Sequence, residues 1–572
     1  MEAKELWKKY DAMVAYNSSF GKGNYYEKIK VHYDFYNGDQ WGGAAEEDKL
    51  PKMTFNIIKR STDFKIASIT SSDIAVNVEP LENVPVGDEN SENELNKSDF
   101  INAELKNIFE KAALKNKVKS VLRDGAITGD MCFHTVFNPN KQPYRGTAPE
   151  VKGEIEIELV DGINIGFGNA NIKDPQKQPY IVVVGRDTVK NLKAEEKGNQ
   201  DIKNDNDTDY QVTDLADTEV DIDGDNEGKA LYIYVYEKRK DKQGNEKIFV
   251  SKCTKDAMIY DNVDTGLSRY PISFTNWYEL KNTYHGRGEV EGICPNQIAI
   301  NKMFSMIVYH QMMTAFPTAV YDGDAIESWN NKIGAAFEVK GLRESGRSIK
   351  DIAGYLEPAN MSDYIIKTID LAFQYTKECL GVSDAALGQI DPKNTSAIIA
   401  VQKSTAVPLE NIKDNLYDLI EQLTLNLLDM MGAKYGKRPV VITQDDGTRM
   451  IQDWDFNQLK GMDLKTSVDV GESTYYSEIA MEQTLDNLLE GQYIDFIQYL
   501  ERIPKERIPN KAELISELKK AKEQVINNDA QYEQMAQWLE QQPPEVQQQI
   551  MSLPEEQQEQ AVIQMMRGGQ AA

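Results

Sequence analysis

Four histidines, four cysteines and one glycine-bracketed basic segment are the residues of this chain whose types could do chemistry. His32, His134, His285 and His310 form no HExxH pair, and none stands at metal-ligand spacing from Cys132, Cys253, Cys294 or Cys379. The cysteines lie far apart, so neither a CxxC zinc site nor a disulfide framework is indicated. No GxSxG elbow is present for a serine hydrolase. Gly341–Ser348 (GLRESGRS) has the glycine spacing of a phosphate loop but carries Arg347 where a compact lysine should reach the terminal phosphates. Its best partner strand for a magnesium-binding acid, Val440–Asp446, reads more simply as a hairpin, so the segment is a basic turn. Asp221–Asp225 resembles the start of a calcium loop, yet its sixth position is Asn226 and its twelfth Tyr232, which rules out an EF-hand. With 92 Asp and Glu residues, paired carboxylates mark nothing. The chain demands no catalysis, and no cofactor or metal is expected.

The elements that would carry such residues are those of a large soluble protein. At 572 residues, 27% charged and 40% apolar, the chain holds several domains with sizeable cores. Its formal net charge of -28 repels nucleic acid over most of the surface, so any DNA contact must be local or non-adhesive. The charged start, Met1–Lys9, has no apolar signal core, and the cysteine usage fits synthesis in a reducing cytoplasm. Met303–Tyr321 carries no formal charge over 19 residues but contains Ser305, His310, Gln311, Thr314 and Pro317. Those polar groups make a helix between protein neighbours the better reading than a membrane span.

Residues 1–70 read mostly as helix, with one helix ending at the glycine-containing turn of Tyr33–Trp41 and structure restarting over Pro51–Arg60. Ile74–Pro80 alternates as a strand does, and a helix is expected over Glu92–Leu122. Asp124–Phe137 reads as a turn into a strand. Further strands are expected at Glu154–Leu159, Tyr180–Val184, Leu231–Glu237 and Lys247–Lys252. Residues 201–227 hold eleven Asp or Glu and one Lys, the composition of a solvated loop. In mid-chain a helix over Pro295–Phe316 is expected to stop before Pro317, and a second runs from the Ser362 cap to Leu380 and closes at Gly381. About 45 residues rich in strand formers and turns separate them. A helix, a small module and a return helix make a projecting hairpin. Asn394–Lys434 reads as a third long helix with Ile412, Leu416, Leu419, Leu423 and Leu427 on one face and a kink at Pro408. Strands return over Pro439–Val470, and the chain is helical from Tyr475, with thirteen Gln in its last 42 residues.

Several short segments, taken in order, resemble the portal proteins (head-to-tail connectors) of tailed bacteriophages, closest to the short-tailed branch. They are Phe35–Trp41 (FYNGDQW), Pro51–Ile58, Asp124–Gly129, Asp174-Pro175, His285–Gly292 (HGRGEVEG), Asn296–Asn301, Gly381–Asp384 and Asn394–Ile398. The resemblance covers roughly residues 25–480; the last 90 residues share only helical, Gln-rich character. It implies an α+β portal fold: a mixed α/β wing over 1–290 and 435–474, stem helices at 291–316 and 359–381, and a small α/β clip at 317–358. A tunnel loop at 382–394, a kinked long helix at 395–434 and a helical crown at 475–572 would complete it. It further implies a non-enzymatic ring of identical subunits, usually twelve, at one capsid vertex of the virion. Its partners would be double-stranded DNA, the large terminase, capsid and scaffolding proteins and a head-completion or tail adaptor, with no membrane. Lys393, Asn394 and Gln389 are then the DNA-channel candidates, and Lys340, Arg343, Arg347 and Lys350 the candidates facing terminase or adaptor. Two rival readings are another virion component, of tail or ejection type, and a nucleotide-driven DNA translocase using Gly341–Ser348.

Overall fold

The structure is a computed structural model. It describes residues 2–21, 23–41, 51–70, 74–80, 89–141, 153–195, 202–203, 228–240, 244, 246–315, 318–330, 338–340, 346–356, 362–381, 395–443, 449–462, 464–470 and 484–503, then 508, 511, 514–520, 537–538, 547, 550–552 and 562. The chain divides into two compact units, Met1–Gly471 and Glu472–Ala572.

The first unit opens with three helices, α1 (Ala3–Ser18), α2 (Tyr25–Asn37) and α3 (Ile57–Ile69). Asn24 and Asn56 cap the last two by accepting from the Tyr26 and Lys59 amides, and Gly38 ends α2 at φ 101°. The expected strand at 74–80 is β1 (Ile74–Pro80), paired antiparallel with β14 (Leu464–Val470). The single helix expected over 92–122 is two, α4 (Glu89–Lys111) and α5 (Leu114–Thr128), separated by Ala113 at φ 49°. The reason lies in the apolar faces. Ile101, Leu105 and Ile108 of α4 and Val118, Val121 and Leu122 of α5 reach one core. A straight helix would set those stripes about 100° apart, and the break re-aims the second. α5 also absorbs Asp124 and Gly125, so the turn into β2 (Asp130–Asn138) falls at Gly129, φ 101°, four residues later than the sequence suggests.

Two antiparallel sheets follow. One has the order β3-β2-β9, with β3 Glu154–Leu159 and β9 Ile272–Asn276. The other runs β4-β5-β6-β7-β8: Ile165–Phe167, Tyr180–Thr188, Lys229–Lys240, Glu246–Cys253 and Met258–Asp264. A short helix α6 (Val189–Glu195) follows β5. Leu6, Trp7 and Tyr10 of α1 pack on Val182, Val184, Ile233 and Val235 of the second sheet. The acidic segment 204–227 lies outside the described residues.

The mid-chain helices are α7 (Glu289–Ala315) and α9 (Asp363–Cys379), with β10 (Ala319–Tyr321), α8 (Ile349–Ile352) and β11 (Ala353–Tyr355) between them. α7 starts six residues before the expected Pro295, which stands inside it. Glu289, Val290 and Ile293 are all buried, and these tertiary contacts outweigh the backbone bond that an interior proline removes. Ser362 caps α9 and Gly381 closes it at φ 66°, as expected. α10 (Thr395–Lys434) presents Ile412, Leu416, Leu419, Leu423 and Leu427 to the largest core, together with α4, α5 and Trp454. Its other side stitches the free edge of β9. Gln422 Oε1 accepts from the Phe274 amide at 3.1 Å, Asn415 Nδ2 donates to the Asn276 carbonyl at 3.1 Å, and Asp429 accepts from the Ser268 amide at 2.8 Å. β12 (Lys437–Thr443) and β13 (Arg449–Asp455) form the expected hairpin. In the second unit, residues 484–490 and Phe496–Arg502 are helical, the latter opened by an Asp495 capping box.

A side chain on Gly129 would meet the backbone of Gly286 at 2.6 Å and of Arg287 at 2.8 Å, in a conformation only glycine adopts easily. Gly129→Ala is expected to destabilise the first unit by roughly 3 kcal/mol, read as a lowered urea midpoint, whereas Gly244→Ala, with open space around it, shows a smaller loss from its positive φ alone.

Candidate functional site

The segments singled out in the sequence converge on one buried polar root beneath α7. Asp130, at the first position of β2, accepts from the Gly286 amide at 2.7 Å, Asn276 Nδ2 at 2.8 Å and the Tyr25 hydroxyl at 3.1 Å. His285 Nδ1 lies 2.6 Å from Oδ2, the oxygen that Tyr25 also reaches, and His285 Nε2 lies 2.9 Å from Asn17 Oδ1. The imidazole packs, tilted, against Tyr25 and Tyr284, with ring centres 4.2 and 4.1 Å away. Both His285 and Asp130 are sealed from solvent, so this pair has no face for a substrate and serves as structure.

Glu289 follows in the first turn of α7, where a negative charge suits the helix dipole. Its carboxylate takes Lys65 Nζ at 2.8 Å, Trp277 Nε1 at 3.1 Å and the Tyr278 hydroxyl at 2.9 Å. Two turns on, Gln297 and Asn301 clamp the extended segment before α3. Gln297 Nε2 donates to the Phe55 carbonyl at 2.6 Å, Gln297 Oε1 accepts from the Ile57 amide at 3.1 Å, and Asn301 Nδ2 donates to Gln40 Oε1 at 2.6 Å. Beside this root the Tyr33 hydroxyl stands 3.5 Å from both Asp124 and Asp161. Burial pushes the Asp124 carboxyl up to about 6 and that of Asp161 up to about 7, the latter helped by the charge of Asp124.

The other histidines also make local contacts. His32 Nδ1 contacts the Ile127 carbonyl at 3.2 Å, and burial lowers its pKa. His134 Nε2 meets the Tyr236 hydroxyl at 2.8 Å, while His310 lies on α7 with Thr314 bonded to its carbonyl. Among the described residues no group of three His, Cys, Asp or Glu could hold a metal, and no helix is long and apolar enough to cross a membrane.

Above the root, α7 and α9 run antiparallel, joined by Phe304 against Phe373 (5.7 Å between ring centres) and by Asn296 Nδ2 donating to Thr376 Oγ1 at 3.4 Å. α9 is apolar on two sides. Ile369, Thr376 and Leu380 are buried, whereas Tyr364, Leu371 and Tyr375, at the same spacing on the opposite face, are exposed. α7 exposes Met306, Met312 and Met313, each 52% accessible. Of the 28 large hydrophobic residues exposed among the described residues, half fall within positions 298–375. That density far exceeds the scattered exposure normal on a monomer.

The small module between the helices contains the predicted cations. Lys340 Nζ pairs with Glu327 at 3.0 Å and Arg347 Nη1 with Asp322 at 3.1 Å, both near the surface, and Lys350 is exposed on α8. Ser348 caps the four-residue α8 in a reciprocal capping box with Asp351. That serine is engaged in a local turn, unlike the serine of a phosphate loop leading into a long helix. Tyr321 stacks on Trp329 at 5.6 Å, and Trp329 meets Tyr355 edge-on at 5.9 Å. Arg343 and the segment 382–394, with Gln389, Lys393 and Asn394, lie outside the described residues. Pro408 falls inside α10, which continues through it to Lys434. Sequence reasoning missed Asp130, Glu289 and Lys65. The signal available was a charge inside an apolar run, as in Asp130-Met-Cys-Phe and Phe64-Lys-Ile.

An α+β chain whose central helix hairpin stands on a buried polar root and exposes apolar faces has the character of a subunit built to pack against others. Residues 193–572 match the family described as Phage P22-like portal protein, well over half of the sequence, and the chain belongs to that family. It is a tailed-phage portal protein, a structural head-tail connector component of the virion, and it resembles the short-tailed branch. A search of curated proteins returned no match.

Removing one partner of a buried ion pair strands the other charge. Lys65→Met is therefore expected to cost about 3–5 kcal/mol, and adding Glu289→Gln should restore part of that loss. Calorimetric melting of the two variants beside the parent checks the order.

Proposed function

We propose that the protein forms a closed ring of identical subunits, twelve in the usual arrangement, at one capsid vertex, through which DNA is packaged and later ejected. The stem of each subunit is 291–316 with 359–381, the clip 317–358, and the wing 1–290 with 435–474. The tunnel loop at 382–394, the long helix 395–434 and the crown 475–572 line or cap the channel. The terminase docks on the clip during packaging and the tail adaptor replaces it; capsid and scaffolding proteins meet the wing during head assembly in the host cytoplasm. One observation carries this reading. The α7–α9 hairpin is apolar on faces that its own subunit leaves uncovered, and neighbouring copies in a ring supply the missing cover. The net charge of -28 suits a passage that must not hold a polyanion fast.

The hairpin is tested with Leu371→Lys/Tyr375→Lys, two exposed changes expected to leave the melting temperature of the chain unaltered. Electron microscopy of the parent at high concentration should show rings with a central hole, and the double variant should stay dispersed. Rings from both would refute the assembly role of this face.

The channel and clip residues are tested in particles. Lys393→Ala should lower the DNA retained per head, through loss of a phosphate contact beside the tunnel loop, with Gln389 and Asn394 as its polar neighbours. Arg343→Ala/Arg347→Ala should weaken terminase or adaptor binding. Normal DNA content in the first, or unchanged binding in the second, removes that residue from the proposal.

A further inference from the structure

The 18 residues from Lys106 to Arg123 hold six cations, Lys106, Lys111, Lys115, Lys117, Lys119 and Arg123, against one acid, Glu110. The chain as a whole has 64 basic and 92 acidic residues, so this run reverses its sign. On α5 the cations are ordered. Lys115, Lys119 and Arg123 recur every four residues on the exposed face, opposite the buried Val118, Val121 and Leu122, a straight row about 12 Å long. The row continues onto α3, which packs on α5. Arg123 lies beside Tyr36 and favours its ionised form, and Lys59 Nζ stands 5.7 Å from the centre of the same ring. Lys59 and Arg60 are both exposed. Two acids of the neighbourhood are engaged by tyrosines: Asp63 accepts from the Tyr36 hydroxyl at 2.5 Å, and Asp124 faces Tyr33.

The local sequence keeps these cations against its own helix preference. α5 starts after Ala113, which is left-handed and makes no side-chain cap, and has no acid in its first turn. Lys115 at the second helical position opposes the helix dipole. A cation held there is a departure from local preference of the kind found at functional positions.

We propose that the row Lys115, Lys119, Arg123, Lys59 and Arg60 is a sequence-independent contact for the phosphate backbone of double-stranded DNA. A protein partner would need an apolar anchor at the centre of its interface, and no exposed large hydrophobic residue lies on the described parts of α4, α5 or α3. A polyanion with evenly repeated charge needs none. The choice of DNA as the polyanion rests on the portal reading. Because the net charge of the chain repels DNA, the row gives a duplex a set direction in which to touch this part of the subunit.

The test uses the purified full chain and two unrelated DNA duplexes, with binding followed by fluorescence anisotropy across about 50–200 mM salt. Arg123 is left intact because it touches Tyr36. Lys59→Gln/Lys115→Gln/Lys119→Gln should flatten the slope of log affinity against log salt by about 2.7 for three lost phosphate contacts, so that the parent loses about 40-fold more affinity than the variant over that range. Both duplexes should behave alike. No duplex binding by the parent, or an unchanged slope in the variant, overturns the proposal. So does a row that binds a synthetic peptide of residues 201–227 and ignores duplex, which would assign it to the acidic segment. Ring formation, scored separately by microscopy, reports on the portal reading, and a stripe-dependent slope without rings would leave the contact standing while that reading fell.

Discussion

A carboxylate withdrawn from water must be surrounded by donors, and Asp130 gathers its donors from parts of the chain far apart in sequence. Tyr25 comes from α2, Asn276 from β9, and Gly286 and His285 from the loop that opens α7. Satisfying one buried charge thus fixes the entry angle of the helix hairpin relative to both the N-terminal helices and the three-stranded sheet. Glu289 repeats the device one step later by recruiting Lys65 and Trp277. Each arrangement is costly when incomplete and specific when complete. The apolar cores supply most of the stabilisation, but these two carboxylates decide how the pieces are joined.

The same logic explains why His285 carries no chemistry. A His–Asp pair at 2.6 Å has the bond length of a catalytic dyad, yet it lies under Tyr25 and Tyr284 with no approach for a third molecule. Geometry between two residues is insufficient for function without access. The surface features point the other way: exposed methionines and tyrosines on the hairpin, and a row of cations on an otherwise acidic body, are placed where partners can reach them.

Much of the architecture was legible in the sequence because it follows from local periodicity. The stripe of Ile412 to Leu427, the Ser362 cap with Gly381, and the strands β1, β3, β5, β6 and β7 all stand where pattern and punctuation put them. The failures are places where distant contacts decide. Ala113 breaks a helix that propensity would continue, and Pro295 sits inside one that it should begin, because buried side chains on either side set the direction of the chain. β4 and β9 escaped notice because each is short, and β8 because it lacks clean alternation; β9 is also buried on both faces. Of the candidate site, the hairpin could be read and its root could not: no spacing rule links residues 65, 130 and 289.

The polar side of α10 has a consequence for how copies of the chain meet. β9 is an edge strand, and an unpaired edge is an open template on which another chain can add a strand. Asn415, Gln422 and Asp429, seven residues apart, occupy that edge and the turn leading into it with side-chain oxygens and amides. That edge is thereby closed to backbone pairing by its own neighbour. Copies crowded together at high local concentration are then steered toward side-chain recognition on the helices and away from fibrous, strand-by-strand growth.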